Sequence, residues 1–132
     1  MIGLSSLMMA TVTSIGGVAK DDVSNLEWQD DNVMTESYVW QAAIDYCDGL
    51  DLGDKTDWRL PNKNELISIV DYAKSTDVFL DGFAKVSFGA FWSSTTSAGN
   101  DDDAWYVYFG DGSVGYDNKG SDNSVRCVRG GL

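Results

Sequence analysis

Apolar residues alternate with polar ones, or recur at helical spacing, in several parts of this 132-residue chain. In "SNLEWQDD" (24–31) the apolar Leu26 and Trp28 alternate with polar neighbours, which is typical of a short strand. In "ESYVWQAAIDYCDGL" (36–50) apolar residues recur every three or four positions, which predicts a first helix with Gly49 as its C-terminal cap. The buried face of that helix would carry Val39, Trp40, Ala43, Tyr46, Cys47 and Leu50.

The stretch "DWRLPNKNELISIV" (57–70) holds the only proline of the chain, just ahead of a second helical pattern. Asn62 with Glu65 three residues later is a capping-box signature. Pro61 keeps the preceding residue extended and sets the angle at which the helix begins. Trp58 and Arg59 could belong to a binding site or to this structural corner. The apolar stripe of the second helix would be Leu66, Ile67, Ile69, Val70 and Ala73.

The pattern after residue 75 is rich in glycine and aromatic residues and alternates with a period of two. "AWYVYFGDGSVGY" (104–116) predicts a hairpin that turns at Asp111-Gly112. Its first strand would place Trp105, Val107 and Phe109 on one face and Tyr106 and Tyr108 on the other. "NSVRCVR" (123–129) predicts a last strand, with Val125 and Cys127 on one side and Arg126 and Val128 on the other. One strand, two helices and several short antiparallel strands make an α+β fold.

Residues 1–20 form a separate apolar segment, uncharged until Lys20, ahead of a domain over 21–132. The segment resembles the apolar part of a signal peptide but lacks basic residues at its start. Its glycines, serines and threonines make a poor isolated helix, so no membrane span is expected in the folded domain. The alternative is an extended strand packed on this domain or on a neighbouring copy. The residues that would make the contact in such an assembly are Ile2, Leu4, Met8, Ala10 and Val12.

Composition narrows the class of function. The chain has 9 basic and 21 acidic residues, a net charge of −12, which disfavours nucleic acid and anionic lipid as partners and leaves neutral sugars, cations and basic proteins. It has no histidine, and it shows no nucleophile–base pair, so no enzymatic activity is expected. The 5 Trp, 6 Tyr and 5 Phe indicate either a core of large rings or a surface that stacks on ligands.

Two cysteines, Cys47 and Cys127, lie 80 positions apart. Their number and spacing fit either two unrelated buried thiols or one long-range disulfide, which would contribute roughly 4 kcal/mol to stability.

Several segments taken in order resemble a bacterial domain family, the C-terminal domain of the Legionella collagen-like adhesin. They are "DYCDGL", "DWRLPNKNEL", "FWSSTT", "AWYVYFGDGSVGY" and "VRCVR", and "LEWQ" resembles the opening strand of that family. The resemblance runs from Val23 to Arg129. It implies a C-type lectin-like fold, with two helices flanking a twisted antiparallel sheet and a long loop region. It also implies that Cys47 and Cys127 pair, that the protein works in an oxidising compartment, and that Trp58 and Arg59 are structural.

Two groups of residues are candidates for ligand contact. The first is "SAGNDDDAW", where Asn100, Asp101, Asp102 and Asp103 supply oxygen ligands of the kind that calcium prefers. Many lectins of the resembled fold hold calcium in the corresponding loop, whereas a solvated acidic loop is the alternative. The second is an aromatic face, predicted to bind a ligand or to pack in the core, formed by Tyr106, Tyr108 and Tyr116 with Trp105 and Asp111 nearby.

These observations lead to two expectations of function. One is a secreted or cell-surface, non-catalytic adhesion module that binds a protein or glycan and assembles into an extracellular fibre through its N-terminal segment. The other is a calcium-dependent glycan-binding domain that acts as a monomer.

Overall fold

The computed structural model describes residues 10–31, 36–87 and 89–131 of the chain. Within these ranges it has two helices and nine strands. In chain order the elements are β1 (Val12–Ile15), β2 (Val18–Asp21), β3 (Leu26–Gln29), β4 (Ser37–Tyr38), α1 (Trp40–Asp48), α2 (Lys63–Ile67), β5 (Ala90–Thr96), β6 (Asp103–Tyr108), β7 (Ser113–Asn118), β8 (Asn123–Ser124) and β9 (Val128–Gly130).

The strands form two sheets, with the order β1-β2-β3-β9 in sheet one and β4-β8-β5-β6-β7 in sheet two. The α+β class is confirmed, but the single antiparallel sheet expected from the sequence is wrong, and β5 pairs with β8 in parallel. The predicted last strand divides because the chain leaves sheet two after Ser124 and joins sheet one at Val128. Val125, Arg126, Cys127 and Val128 are consequently all buried.

Residues 12–21 form a hairpin that belongs to sheet one, with Gly16 and Gly17 at the turn in the left-handed region, at φ 63° and 83°. The expected domain boundary between residues 20 and 21 therefore falls inside β2. Val12 is 5% exposed and packs in the core of this same chain. Ala10 is half-buried. Ile2, Leu4 and Met8 lie outside the described residues.

Both helices are shorter than their patterns predict. Ser37 and Tyr38 pair with β8, so α1 begins only at Trp40. The capping box of Asn62 and Glu65 is confirmed, but α2 ends at Ile67 because the chain turns there to place Val70 opposite Phe79. Ala73, expected on the buried stripe, is exposed.

Sheet two separates two apolar clusters. Phe91 packs in one cluster with Val107 and Phe109, while the adjacent Trp92 packs in the other with Ala104. Successive residues of a strand point to opposite faces, so β5 supplies both clusters at once. The larger cluster lies between the two sheets and α2, and the smaller one lies under α1.

A disulfide joins Cys47 in α1 to Cys127, with Cα atoms 5.5 Å apart, as the resemblance implies. Both cysteines are fully buried in the smaller cluster beside Trp58 and Trp92. The bridge therefore ties the first helix to the segment that crosses between the sheets.

The "DWRLP" stretch is a structural corner. The Trp58 indole is 3% exposed, and its N–H donates to the carbonyls of Leu52 and Lys55. Arg59 donates to both carboxylate oxygens of Glu65, at 2.7 and 2.8 Å, and to the carbonyl of Gly130. The structural roles expected for Trp58 and Arg59 are confirmed.

None of the helices in the described ranges is long and apolar enough to cross a membrane.

Candidate functional site

The β6–β7 hairpin presents an aromatic pair on one face of sheet two. Trp105 lies directly opposite Tyr116, and the two rings meet edge to face with their centroids 5.3 Å apart. Val107 and Val114 form the next pair on this face, because directly opposed residues on neighbouring strands share a side of the sheet. Val107 is buried, whereas Tyr116 is 58% exposed and Val114 is 37% exposed.

Two residues from outside the hairpin extend this face. The ammonium of Lys63, the first residue of α2, lies 4.4 Å from the centre of the Trp105 ring, a cation–π contact. The ring of Tyr72, which is 64% exposed, lies against the backbone of Gly112 at the hairpin turn. We call this set the hairpin surface: Lys63, Tyr72, Trp105, Val114 and Tyr116.

The three tyrosines expected to form one aromatic face do not share a face. Tyr106 lies opposite Gly115, and its side chain covers that glycine. A Cβ added at Gly115 would be 2.6 Å from the Tyr106 hydroxyl oxygen. Tyr108 lies over Gly110 in the same way. Tyr116 pairs with Trp105 and therefore lies on the opposite face of the sheet from Tyr106 and Tyr108. Successive residues of a strand point to opposite faces, so a shift of one residue in the pairing changes the face.

Asp111 lies in the turn of the hairpin, as predicted. Its carboxylate accepts a hydrogen bond from the Ser113 backbone N–H at 2.9 Å. Hydrogen bonds from Ser113 lower the pKa of Asp111, which therefore stays ionised at the exposed end of the hairpin. This interaction stabilises the turn of the hairpin.

The acidic loop is organised by its own hydrogen bonds. The Asn100 side-chain oxygen accepts from the Asp102 backbone N–H at 2.9 Å, and the Asn100 carbonyl accepts from the Asp103 N–H at 3.0 Å. Asp103 begins β6, while Asp101 and Asp102 are exposed in the turn. Among the described residues, no three side chains of the His, Cys, Asp or Glu type come together as a metal site would require. Calcium binding by Asn100, Asp101, Asp102 and Asp103 stays a prediction.

Sequence reasoning did not find Lys63, Tyr72 or Val114 as members of a site. Lys63 and Tyr72 belong to the region around α2, and only the tertiary fold brings them to the hairpin. The alternation along "DGSVGY" would have placed Val114 beside Tyr116, since the two are separated by one residue.

The fold defines a disulfide-braced α+β module with a partly exposed aromatic pair on one face of sheet two. The chain belongs to the family of the Lcl C-terminal domain, the C-terminal domain of the Legionella collagen-like protein, whose family model matches residues 17–129. This confirms the family resemblance found in the sequence. No curated protein matches the chain.

Proposed function

We propose that this chain is a non-catalytic adhesion module that binds a surface ligand through the hairpin surface. Membership of the Lcl C-terminal domain family supports an adhesin-type role at a bacterial surface or in secreted material. The buried disulfide supports an oxidising location outside the cytoplasm. The lectin-like character of the fold is part of this proposal.

The observation that carries the proposal is the Trp105–Tyr116 pair, in which Trp105 is half-buried and Tyr116 is 58% exposed. The two rings contact each other edge to face, and the Lys63 ammonium lies over that of Trp105, so little side-chain entropy is lost when a ligand stacks on them. With a net charge of −12, the protein favours a neutral glycan or a basic protein over a phosphate-rich ligand.

A glycan array with purified protein tests the binding role, and Tyr116→Ser and Tyr72→Ser are the informative variants because both side chains are mostly exposed. We expect each to weaken binding of any glycan that the unaltered protein retains. Tyr108→Ser is the matched control, since Tyr108 lies on the other face. Equal loss in all three variants, or no glycan bound at any concentration, would count against the hairpin surface.

The same array, run with calcium and with a chelator, tests the alternative of a calcium-dependent monomeric lectin. Binding that disappears with the chelator, together with a rise in the thermal midpoint on adding calcium, favours that alternative. Binding unaffected by the chelator favours stacking on the aromatic pair.

A second part of the proposal is self-assembly into an extracellular fibre through the apolar residues ahead of β1. It is supported by the uncharged run from Ile2 to Met9 and by the presence of an open sheet edge in the described domain. Deleting residues 2–9 tests it, because this deletion spares the β1–β2 hairpin that sheet one needs. Sedimentation should then show monomers in place of larger species.

A further inference from the structure

The two sheets have four edges, and the edge at β1 is covered by the chain itself. Gly82 lies against Val12, so close that a Cβ at Gly82 would be 2.0 Å from the Val12 carbonyl oxygen. The Asp30 carboxylate accepts from the Ser14 hydroxyl and from the backbone N–H groups of Ala84 and Lys85. The 82–85 segment therefore lies close to β1 and obstructs that edge.

Two further edges offer little room for an incoming strand. At β9 the backbone of Val128 exchanges hydrogen bonds with Arg59, at 2.8 and 2.9 Å, so this edge is occupied by the corner before α2. β4 has only two residues, Ser37 and Tyr38.

The fourth edge is β7, six residues long. The Lys119 N–H donates to the Asp102 carbonyl, and the Phe109 N–H donates to the Gly89 carbonyl. In an antiparallel ladder, pairs that exchange backbone hydrogen bonds alternate with pairs that do not. Counted from these two bonds, the Trp105–Tyr116 and Val107–Val114 pairs do not exchange hydrogen bonds. The backbone N–H and C=O groups of Val114 and Tyr116 therefore point away from β6. Within the described ranges, no other strand pairs with β7.

The open edge lacks the features that usually protect one. β7 contains no proline or lysine, and its one charged residue is Asp117. Its outward backbone groups lie between the exposed side chains of Val114 and Tyr116, which would pack beside the apolar side chains of an added strand. At the end of β7, the Asn118 N–H donates to the Asp117 carboxylate. The backbone groups left to pair with an added strand are those of Val114 and Tyr116.

We propose that β7 is the acceptor for residues 2–8 of a second copy of this chain, which add an outer strand to sheet two. This inference rests on the self-assembly part of the proposed function and identifies the surface that receives the segment. Residues 2–8, "IGLSSLM", have no charge and no proline, and seven residues match the length of a six-residue edge. An uncharged donor also avoids the repulsion that an acidic segment would meet on a protein of charge −12.

The proposal takes the donor from another copy, in keeping with an attachment point that belongs to the other sheet. The Thr11 carbonyl accepts from the Asp22 N–H at the start of sheet one, whereas β7 is the outermost strand of sheet two. The donor and acceptor surfaces differ, so the contact is head to tail and continues from copy to copy into a ring or a filament. An added strand lies about 4.8 Å to the side of β7, leaving the faces of Trp105 and Tyr116 open to ligand.

The test uses the full chain and two readouts, the size of the assembly by sedimentation and the hydrogen exchange of individual backbone amides. In the assembled protein the Val114 and Tyr116 amides should exchange at least about tenfold more slowly than after dilution to monomers. Leu4→Lys on the donor and Val114→Pro on the acceptor should each give monomers. Val114→Pro removes an N–H that faces away from β6, which an edge strand tolerates.

Matched controls are Ser5→Lys on the donor and Ser113→Lys on β7, which add the same charge beside the proposed contacts. Both should keep the assembled size. The inference is overturned if the unaltered chain is monomeric at every concentration, if its assemblies leave the Val114 and Tyr116 amides unprotected, or if Val114→Pro still assembles. Glycan binding by monomeric Leu4→Lys is measured in parallel, so that failure of assembly is distinguished from failure of ligand binding.

Discussion

Arg126 and Asp30 form an ion pair inside the protein, with the Arg126 Nη1 atom 3.2 Å from the Asp30 Oδ1 atom and both side chains completely buried. The guanidinium lies 4.6 Å from the centre of the Phe79 ring and 4.7 Å from that of Phe83. Burial lowers the pKa of Arg126 to about 10, and the Asp30 charge partly opposes that shift. The arginine therefore stays charged at neutral pH.

This pair connects three parts of the chain. Arg126 also donates to the carbonyls of Gln29 and Lys85, while Asp30 accepts from the backbone N–H groups of Ala84 and Lys85. The end of β3, the 84–85 segment and the crossing segment before β9 thus meet at one buried charge centre.

We expect Arg126→Met to lower the free energy of unfolding by about 3–5 kcal/mol, because it leaves the Asp30 carboxylate buried without its counter-charge. Urea denaturation at pH 7 measures the change. Lys85→Met is the control, since Lys85 reaches this centre only through its backbone, and it should be near neutral. The double variant Arg126→Met with Asp30→Asn should recover part of the loss, whereas additive losses would contradict a coupled pair.

Gly82→Ala should destabilise the protein by more than about 1 kcal/mol, since its φ of 109° disfavours any side chain. The new methyl would also meet the Val12 carbonyl oxygen at 2.0 Å. Gly99→Ala is the matched control, because a Cβ there meets nothing within 4 Å. Thermal unfolding of the two variants should separate them clearly, and equal midpoints would contradict the close contact of Gly82 with Val12.

The Cys47–Cys127 bridge closes a loop of 80 residues, for which chain entropy gives about 4 kcal/mol of stabilisation. Cys47→Ala with Cys127→Ala should therefore lower the urea midpoint substantially. A thiol assay on the unaltered protein, denatured without reductant, should find no free thiol. Two titratable thiols would contradict both the pairing and the proposed oxidising location.

Glu65 should make stability depend on acid pH. Burial alone would raise the pKa of Glu65, but the hydrogen bonds from Arg59 and from the Asn62 backbone outweigh burial and lower it. A carboxyl whose pKa is lowered by folding stabilises the protein above its unfolded value of 4.5, and this contribution is lost as the pH falls below it.

The stability difference between the unaltered protein and Glu65→Gln should therefore be largest at neutral pH and shrink below pH 4.5. Urea midpoints measured from pH 7 downward give this difference directly, because the other carboxyls titrate in both proteins. A difference that stays constant across the range would show that the Arg59 contact adds nothing to the folded state.

Sequence patterns predict correctly those elements that are determined by residues close together in the chain. The capping box at Asn62, the Asp111-Gly112 turn and the strand at Leu26 and Trp28 all appear as expected. Each depends on residues that are neighbours in sequence, so a short window contains the physical reason for it. The pairing of Cys47 with Cys127 was open on spacing alone and came from family resemblance.

The errors fall where a distant partner overrides the local pattern. Ser37 and Tyr38 lie in the stretch whose pattern predicts the first helix, but they pair with β8 instead. The alternation along the last strand predicts Arg126 on the opposite side from the buried Cys127, yet Arg126 is fully buried because the chain changes sheets there. A charged side chain can be buried when it forms an ion pair with a buried group of opposite charge, as Arg126 does with Asp30. The spacing of residues in the sequence does not reveal that partner.

The chain's residues, read without coordinates, were enough to establish the α+β class, the family and the aromatic character of the hairpin. The tertiary structure decided which tyrosine faces Trp105, which lysine covers the indole and which strand lies at the edge of sheet two among the described residues. Those features are set by strand register and by contacts between segments far apart in the chain, and a shift of one residue reverses the face on which a side chain lies.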